Sequence, residues 1–181
     1  MSSWADEARD TLAVAKFETL RILVWGPGDP GVGAPPERVD AYNKRLQIRD
    51  ELRKQFPRAE VFFSEDPEMQ ALGPPEMSQL EREALQASGA NLVLMLDISR
   101  GTDLELDHFV PTYSWFRDKV YVLLPERYVP PRGLAKEVFD YIRPTQVVGY
   151  SDDEFKLSKV VRERAVNVAT IIAMKKRLKG L

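Results

Sequence analysis

LVLMLDISRGTDLELDHF, residues 92–109, is the stretch of the sequence that decides the fold. A continuous apolar run ends at Asp97, and the chain then turns through residues 99–102 into a helical pattern that contains Glu105. An apolar run bounded by turn signals is typical of a fully buried parallel strand. In open α/β sheets, ligands bind beyond the carboxyl ends of such strands. The sequence therefore predicts a strand over residues 91–97 that delivers the carboxylate of Glu105 to a binding crevice.

Four further apolar runs alternate with helical patterns along the chain. They predict strands over residues 21–25, 59–63, 120–124 and 145–150. The predicted helices cover residues 4–17, 37–56, 75–88, 134–143 and 151–176, with one more after Thr102 that should break or kink near Pro111. This alternation predicts an α/β fold, a flavodoxin-like doubly wound sheet of five parallel strands in the order 2-1-3-4-5, with an extra N-terminal helix.

Two of these helices carry more local signals. Ser151 and Glu154 form a capping-box pattern that opens the final helix. The helix over residues 37–56 is expected to bury one face, formed by Val39, Tyr42, Leu46 and Leu52.

Length and composition indicate one domain of an ordinary globular kind. The chain has 181 residues, 44% hydrophobic and 30% charged, with a net charge of −2. We expect a leading helix (1–19), a sheet core (20–150) and a C-terminal helix (151–181). The one basic cluster, residues 175–179, is interpreted as a solvated helix end, so no duplex nucleic acid is expected as a partner.

The residue types that are missing exclude several kinds of site. The chain has no cysteine and one histidine, His108, which rules out disulfides, thiolate catalysis and a zinc site of three histidines. No apolar run approaches the roughly 20 residues that cross a bilayer, and the N-terminus does not resemble a secretory signal. We therefore expect a cytoplasmic protein with no membrane partner and no metal. His108 is expected at a helix surface or at the edge of the core.

The loop after the first predicted strand invites a phosphate-binding interpretation. It reads GPGDPGVG over residues 26–33. A phosphate loop needs free backbone amides leading into a helix, and Pro27 and Pro30 remove such donors. The loop is therefore predicted to line or cover a substrate, and a flavin-binding function lacks its phosphate loop. No cofactor is expected.

Gly101-Thr102-Asp103-Leu104-Glu105-Leu106 resembles the G-T-x-x-E-L/I motif of the nucleoside 2-deoxyribosyltransferase-like superfamily. That superfamily is related to the Toll/interleukin-receptor-type NAD hydrolases, and the similarity covers roughly residues 81–109. It implies an enzyme, a hydrolase or a (deoxy)ribosyl transferase, that cleaves the N-glycosidic bond of a nucleotide, a nucleoside or NAD. Glu105 would be the catalytic residue, as nucleophile or charge stabiliser at the anomeric carbon.

The same resemblance implies a set of residues around the substrate. The family's acid on the preceding helix corresponds to Glu83, with Glu81 as the alternative. Ser99 stands where deoxyribosyltransferases tend to carry Asp, which is similar to the branch that hydrolyses nucleoside 5′-monophosphates. Arg100 or Arg49 is expected to keep Glu105 ionised. The expected substrate-binding residues are Gly26, Glu83, Asp97, Ser99, Arg100, Gly101 and Thr102.

A second function class stays open. Asp107, His108 and Phe109 stand where the family usually carries Gly-x-Ala, which favours a catalytically weak or inactive nucleotide-binding or assembly module of the same fold. Transferases that borrow residues from a neighbouring subunit leave a homo-oligomer open as well. Tyr113, Trp115 and Phe116 are expected in the core, with an interface as the alternative. Small stand-alone domains of this kind resemble bacterial nucleotide-depleting effectors, and only that analogy points to defence.

Overall fold

The sheet is all-parallel and has five strands in the order β2-β1-β3-β4-β5. The computed structural model describes residues 3–96, 107–128, 140–156 and 159–179. The strands are β1 (Arg21–Trp25), β2 (Glu60–Phe62), β3 (Leu92–Leu96), β4 (Val120–Pro125) and β5 (Val147–Tyr150). The predicted flavodoxin-like fold and strand order are therefore confirmed.

Helices cover the sheet on both faces. In chain order they are α1 (Trp4–Ala15), α2 (Pro36–Gln55), α3 (Pro67–Gln70), α4 (Gln79–Gly89), α5 (residues 107–112), α6 (Ser114–Arg117), α7 (Asp152–Lys156) and α8 (Val160–Lys179). Short 3₁₀ turns occupy Glu126–Tyr128 and Pro144–Gln146. Among the residues that the structure describes, no helix is both long enough and apolar enough to cross a membrane.

Strand β3 lies at the centre of the sheet and is buried along its whole length. Successive side chains of a strand point to opposite faces, so β3 belongs to two core clusters. Leu94 packs in the cluster that α2 and α8 cover, whereas Met95 packs in the cluster around Trp25 and Phe116. Burial on both faces explains why this strand is a continuous apolar run in the sequence.

Several predicted helix boundaries needed correction. Helix α4 begins at Gln79 rather than at residue 75, because Ser78 and Glu81 form a capping box that fixes its first turn. Residues 140–143 form a turn and not the end of a helix, while residues 134–139 of the same prediction lie outside the described part of the chain. The predicted final helix is two helices, α7 and α8, and the Ser151–Glu154 capping box opens α7.

The predicted buried face of α2 was wrong by about one residue. Of the four residues expected there only Leu52 is fully buried, and Val39, Tyr42 and Leu46 are half-buried. The residues that α2 buries are Ala41, Lys44, Arg45, Ile48 and Leu52. Two cations thus occupy positions that the apolar pattern did not mark.

The segment after residue 106 follows the prediction closely. Residues 107–112 are helical, Tyr113 interrupts the helix and α6 begins at Ser114, which confirms the break near Pro111. His108 is half-buried at the edge of the core, with its ring 5.4 Å from the Phe109 ring. Phe116 is fully buried, and Tyr113 and Trp115 pack against the same cluster.

The basic cluster at the end of α8 contacts the rest of this chain. The Nζ of Lys176 donates to the carbonyl oxygen of Thr19 at 2.5 Å, and Arg177 lies 3.3 Å from the carboxylate of Glu18. The Nζ of Lys175 lies 3.3 Å from the hydroxyl of Tyr121. Lys176 and Arg177 thus join α8 to the segment that leads into β1, and Lys175 joins it to β4.

Candidate functional site

The carboxyl ends of β1 and β3 meet at Gly26. Trp25 lies beside Met95 in the sheet register. A Cβ atom at Gly26 would lie 3.2 Å from the Cβ of Leu96 and 3.3 Å from its carbonyl oxygen. A side chain at this position would force Leu96 to shift by a few tenths of an ångström, and the φ of +156° is one that residues with a side chain rarely adopt. The first loop therefore starts directly against the end of the central strand, where the topology changes direction.

The predicted site residues fall into two groups. Gly26 and Glu83 lie within the described part of the chain. The others lie outside it: Asp97, Ser99, Arg100, Gly101, Thr102 and Glu105. The last described residue before them is Leu96, the residue that Gly26 touches.

A buried arginine, Arg45, lies beside Gly26 on the β2 side of β1. Its side chain is 1% exposed and reaches the strand end from α2. Its Nε and Nη2 donate to the carbonyl oxygen of Val24 at 3.0 and 2.8 Å, and Nη1 donates to the carbonyl oxygen of Pro27 at 3.2 Å. Glu65 accepts from Nη1 and Nη2 at 2.5 and 2.9 Å. All five N–H groups of the guanidinium thus have acceptors.

The segment after β2 is held by a second arginine. Asp66 accepts a hydrogen bond from the backbone N–H of Phe63 at 2.9 Å and pairs with Arg49 at 3.4 Å. The guanidinium carbons of Arg45 and Arg49 both lie 4.0 Å from the centre of the Phe63 ring. Cation–π contact and the two ion pairs therefore fix the loop that carries Glu65.

Glu83 approaches the same corner of the sheet from α4. The residue is 7% exposed, and its Oε1 accepts a hydrogen bond from the Nε2 of Gln79 at 2.6 Å. Burial raises the pKa of the Glu83 carboxyl; the Gln79 hydrogen bond opposes this shift, and the nearby charge of Glu65 adds to it. Glu83 therefore lies close enough to Glu65 for the two carboxylates to influence each other, and Glu65 pairs with the arginine beside Gly26.

An aromatic cluster lies against β1 on the opposite face of the sheet from α2. The ring of Trp25 is 5.2 Å from Phe109 and 5.5 Å from Phe116. Phe109 is fully buried, so the residue that stands where the resemblance expects a small side chain is part of the core. The Nε1 of Trp25 is buried and has no hydrogen-bond partner among the described residues.

A second buried cation, Lys44, precedes Arg45 on α2. It is 5% exposed, and its Nζ lies 5.4 Å from the centre of the Phe155 ring on α7. Burial lowers the pKa of Lys44, the charge of Arg162 lowers it further, and Asp40 opposes the shift. This side chain links α2 to the segment that follows β5.

Two cavities in the described part of the chain are lined by residues other than Gly26, Glu83 and Arg45. One of 520 Å³ lies against the first residues of β1 and β2, beneath Leu85 and Gln86 of α4. Another, of 420 Å³, lies between α2 and α8 and is lined by charged side chains such as Glu51 and Arg162. No group of three or more His, Asp or Glu side chains within residues 3–96, 107–128, 140–156 and 159–179 could hold a metal ion.

Sequence reasoning missed Arg45 and did not single out Glu65. A signal for Arg45 existed, since it shares a helical face with Ala41, Ile48 and Leu52 at spacings of four, three and four residues. A charged residue inside such an apolar stripe must reach a polar partner once it is buried. The open carbonyls at the end of β1 provide that partner.

No protein-family model matches this chain, and no curated protein is similar to it.

Proposed function

We propose that this protein cleaves the N-glycosidic bond of a nucleotide, a nucleoside or NAD, with Glu105 as the nucleophile or charge stabiliser. The motif of residues 101–106 follows β3, the central strand of a sheet whose order matches the expected one. The contact between Gly26 and Leu96 is the observation that carries the proposal. Because of this contact, the first loop begins beside the end of β3, and the chain continues from that strand end toward Glu105.

The chemistry needs a carboxylate at the sugar and a crevice around it. Breaking the bond builds oxocarbenium character at the anomeric carbon, which a carboxylate stabilises electrostatically or traps covalently. The bond between that carbon and the base nitrogen breaks, and the base leaves with the electron pair. Water or an acceptor base then forms the new bond to the carbon, and the proton that it loses balances the charge on the leaving base. In this proposal Asp97, Ser99, Arg100 and Thr102 shape the pocket, and Gly26 lets the substrate approach the first loop.

Glu83 belongs to the proposed pocket as a second acid. In this proposal its carboxyl, whose pKa is raised by burial, forms a hydrogen bond with a ribose hydroxyl. We also propose that the protein is cytoplasmic, forms a homo-oligomer and acts as a bacterial nucleotide-depleting effector.

The experiment is a base-release assay. Purified protein is incubated with NAD, nucleosides and 5′-monophosphates, and free base is measured by chromatography. We expect release by the wild type and by Glu76→Gln, a control at an exposed glutamate, and none by Glu105→Gln. Absence of release at every protein concentration, or full activity of Glu105→Gln, would contradict the proposal.

The second candidate function is a binding or assembly module without efficient turnover. Phe109 favours it, because a buried phenylalanine stands where the family usually has a small residue. Calorimetry with the same compounds separates the two candidates: binding by the wild type without release of base supports the module. Light scattering with and without the bound compound then measures assembly.

A further inference from the structure

Strand β2 stops before the end of β1. The β1–β2 register ends at Leu23 and Phe62, whereas the β1–β3 register continues to Trp25 and Met95. The last two residues of β1 therefore have a neighbouring strand on one side only. On the other side, their backbone N–H and C=O groups need hydrogen-bond partners from other parts of the chain.

Arg45 fills the place that β2 leaves. Its guanidinium donates to the carbonyl oxygen of Val24 inside the strand and to that of Pro27 in the loop. One rigid planar group thus spans the backbone on both sides of Gly26. The Cδ of Arg45 would lie 3.4 Å from a Cβ at Gly26, so the arginine also packs against the glycine.

Glu65 completes the arrangement from the solvent side. Its side chain is 47% exposed, whereas that of Arg45 is 1% exposed. A bidentate carboxylate fixes the plane of the guanidinium and neutralises a charge that is otherwise buried. The loops after β1 and after β2 are thereby connected through one ion pair.

We propose that Arg45, held by Glu65, is a positioning residue that sets the first loop against the end of β3 and so determines how the crevice binds its substrate. This inference rests on the proposed function and assigns a part of the site outside the motif of residues 101–106. Arg45 acts through Gly26 and Pro27 and touches no reacting atom in this scheme.

The test compares two arginines of α2. Arg45→Lys keeps the charge but cannot reach Val24, Pro27 and both oxygens of Glu65 together. Arg53→Lys is the matched control, because the Nη2 of Arg53 also donates to a strand carbonyl, that of Val61 at 2.6 Å, away from Gly26. We expect Arg45→Lys to raise KM about tenfold or more with kcat within about threefold, and Arg53→Lys to leave both unchanged.

A purely structural role gives a different result. Partial unfolding lowers the apparent kcat through the amount of active protein and leaves KM unchanged. Glu65→Gln keeps the shape of the side chain, and we expect it to raise KM as Arg45→Lys does. This second variant tests the inference if Arg45→Lys does not fold. Equal KM values for Arg45→Lys, Glu65→Gln and Arg53→Lys would overturn the inference.

A second measurement separates this inference from the proposed function. Hydrogen exchange in peptides that cover residues 26–33 is expected to be faster in Arg45→Lys than in Arg53→Lys, whether or not base is released. If the wild type releases no base, the proposed function fails, and the exchange data alone decide whether Arg45 positions the loop. Equal exchange in the two variants would overturn the positioning role.

Discussion

Gly26 is a residue at which one added methyl group disturbs two strands at once. The new Cβ of Gly26→Ala would lie 3.2 and 3.3 Å from the Cβ and carbonyl oxygen of Leu96, and backbone atoms cannot move aside as a flexible side chain does. We expect the free energy of unfolding to fall by about 1–3 kcal/mol. Urea denaturation measures it, with Gly28→Ala as the control, since a Cβ there meets nothing within 4 Å. Equal losses in the two variants would contradict the close approach.

Glu83 and Glu81 lie on one helix and should respond to pH with opposite signs. Burial raises the pKa of Glu83, so its contribution to stability is full below the pKa of the unfolded chain and is lost as pH rises through the folded value. Hydrogen bonds from Ser78 lower the pKa of Glu81, so its contribution is present at neutral pH and is lost as pH falls.

Substitution of each residue by glutamine tests these signs. Glu83→Gln should raise the free energy of unfolding at neutral pH by about 1 kcal/mol, because it removes a buried charge and keeps an acceptor for Gln79, and the gain should shrink in acid. Glu81→Gln should lower the free energy of unfolding at neutral pH, and this loss should vanish in acid. Urea titrations across pH measure both. Parallel pH profiles for the two variants would refute the assignment.

At the scale of elements, Arg82 holds the connection between α3 and α4. It is 8% exposed, and its guanidinium donates to four carbonyl oxygens, those of Gln70, Leu72, Pro74 and Met77. The single ammonium group of a lysine cannot reach all four carbonyl oxygens at once. We expect Arg82→Lys to lower the free energy of unfolding by about 2 kcal/mol and to speed proteolysis within residues 70–77. Arg58→Lys, at an exposed residue, is the control; equal cleavage rates would refute the anchoring role.

The strands were more predictable than the helix boundaries, for a physical reason. An apolar run such as residues 92–96 reports burial on both faces directly, so β1 and β3 were located within one residue. The start of α4 depends on which residue caps it, and the pattern from residue 75 onward does not distinguish Pro75 from Ser78. Hydrogen bonds from Arg82 hold residues 70–77 in place, and the hydrophobic periodicity of the sequence does not predict these bonds.

At the scale of the whole molecule, the corner of the sheet at Gly26 was predictable but its internal contacts were not. Alternation predicts a parallel sheet, and the flavodoxin-like order expected for it directs attention to the loops after β1 and β3. The Arg45–Glu65 pair joins residues 20 apart, so no local pattern links them. The helical face that Arg45 shares with Ile48 and Leu52 indicates its burial, but its partner follows only from the early end of β2, which leaves the carbonyl of Val24 to be satisfied.

The two core clusters share the sheet, and we expect them to unfold together. Leu94 and Met95 are adjacent and fully buried, yet they pack in opposite clusters. Leu94→Ala and Met95→Ala should each lower the free energy of unfolding by about 2–5 kcal/mol. Val32→Ala, at a fully exposed side chain, should change it little.

The probes for this prediction report on different parts of the molecule. Circular dichroism follows all helices, whereas fluorescence follows the three tryptophans, of which Trp25 lies in the cluster of Met95. Loss of either layer exposes the shared strand β3, so the two signals should give coincident transitions in both variants. If Leu94→Ala lost helical signal at a denaturant concentration where Trp25 stayed buried, the two layers would be separate cooperative units.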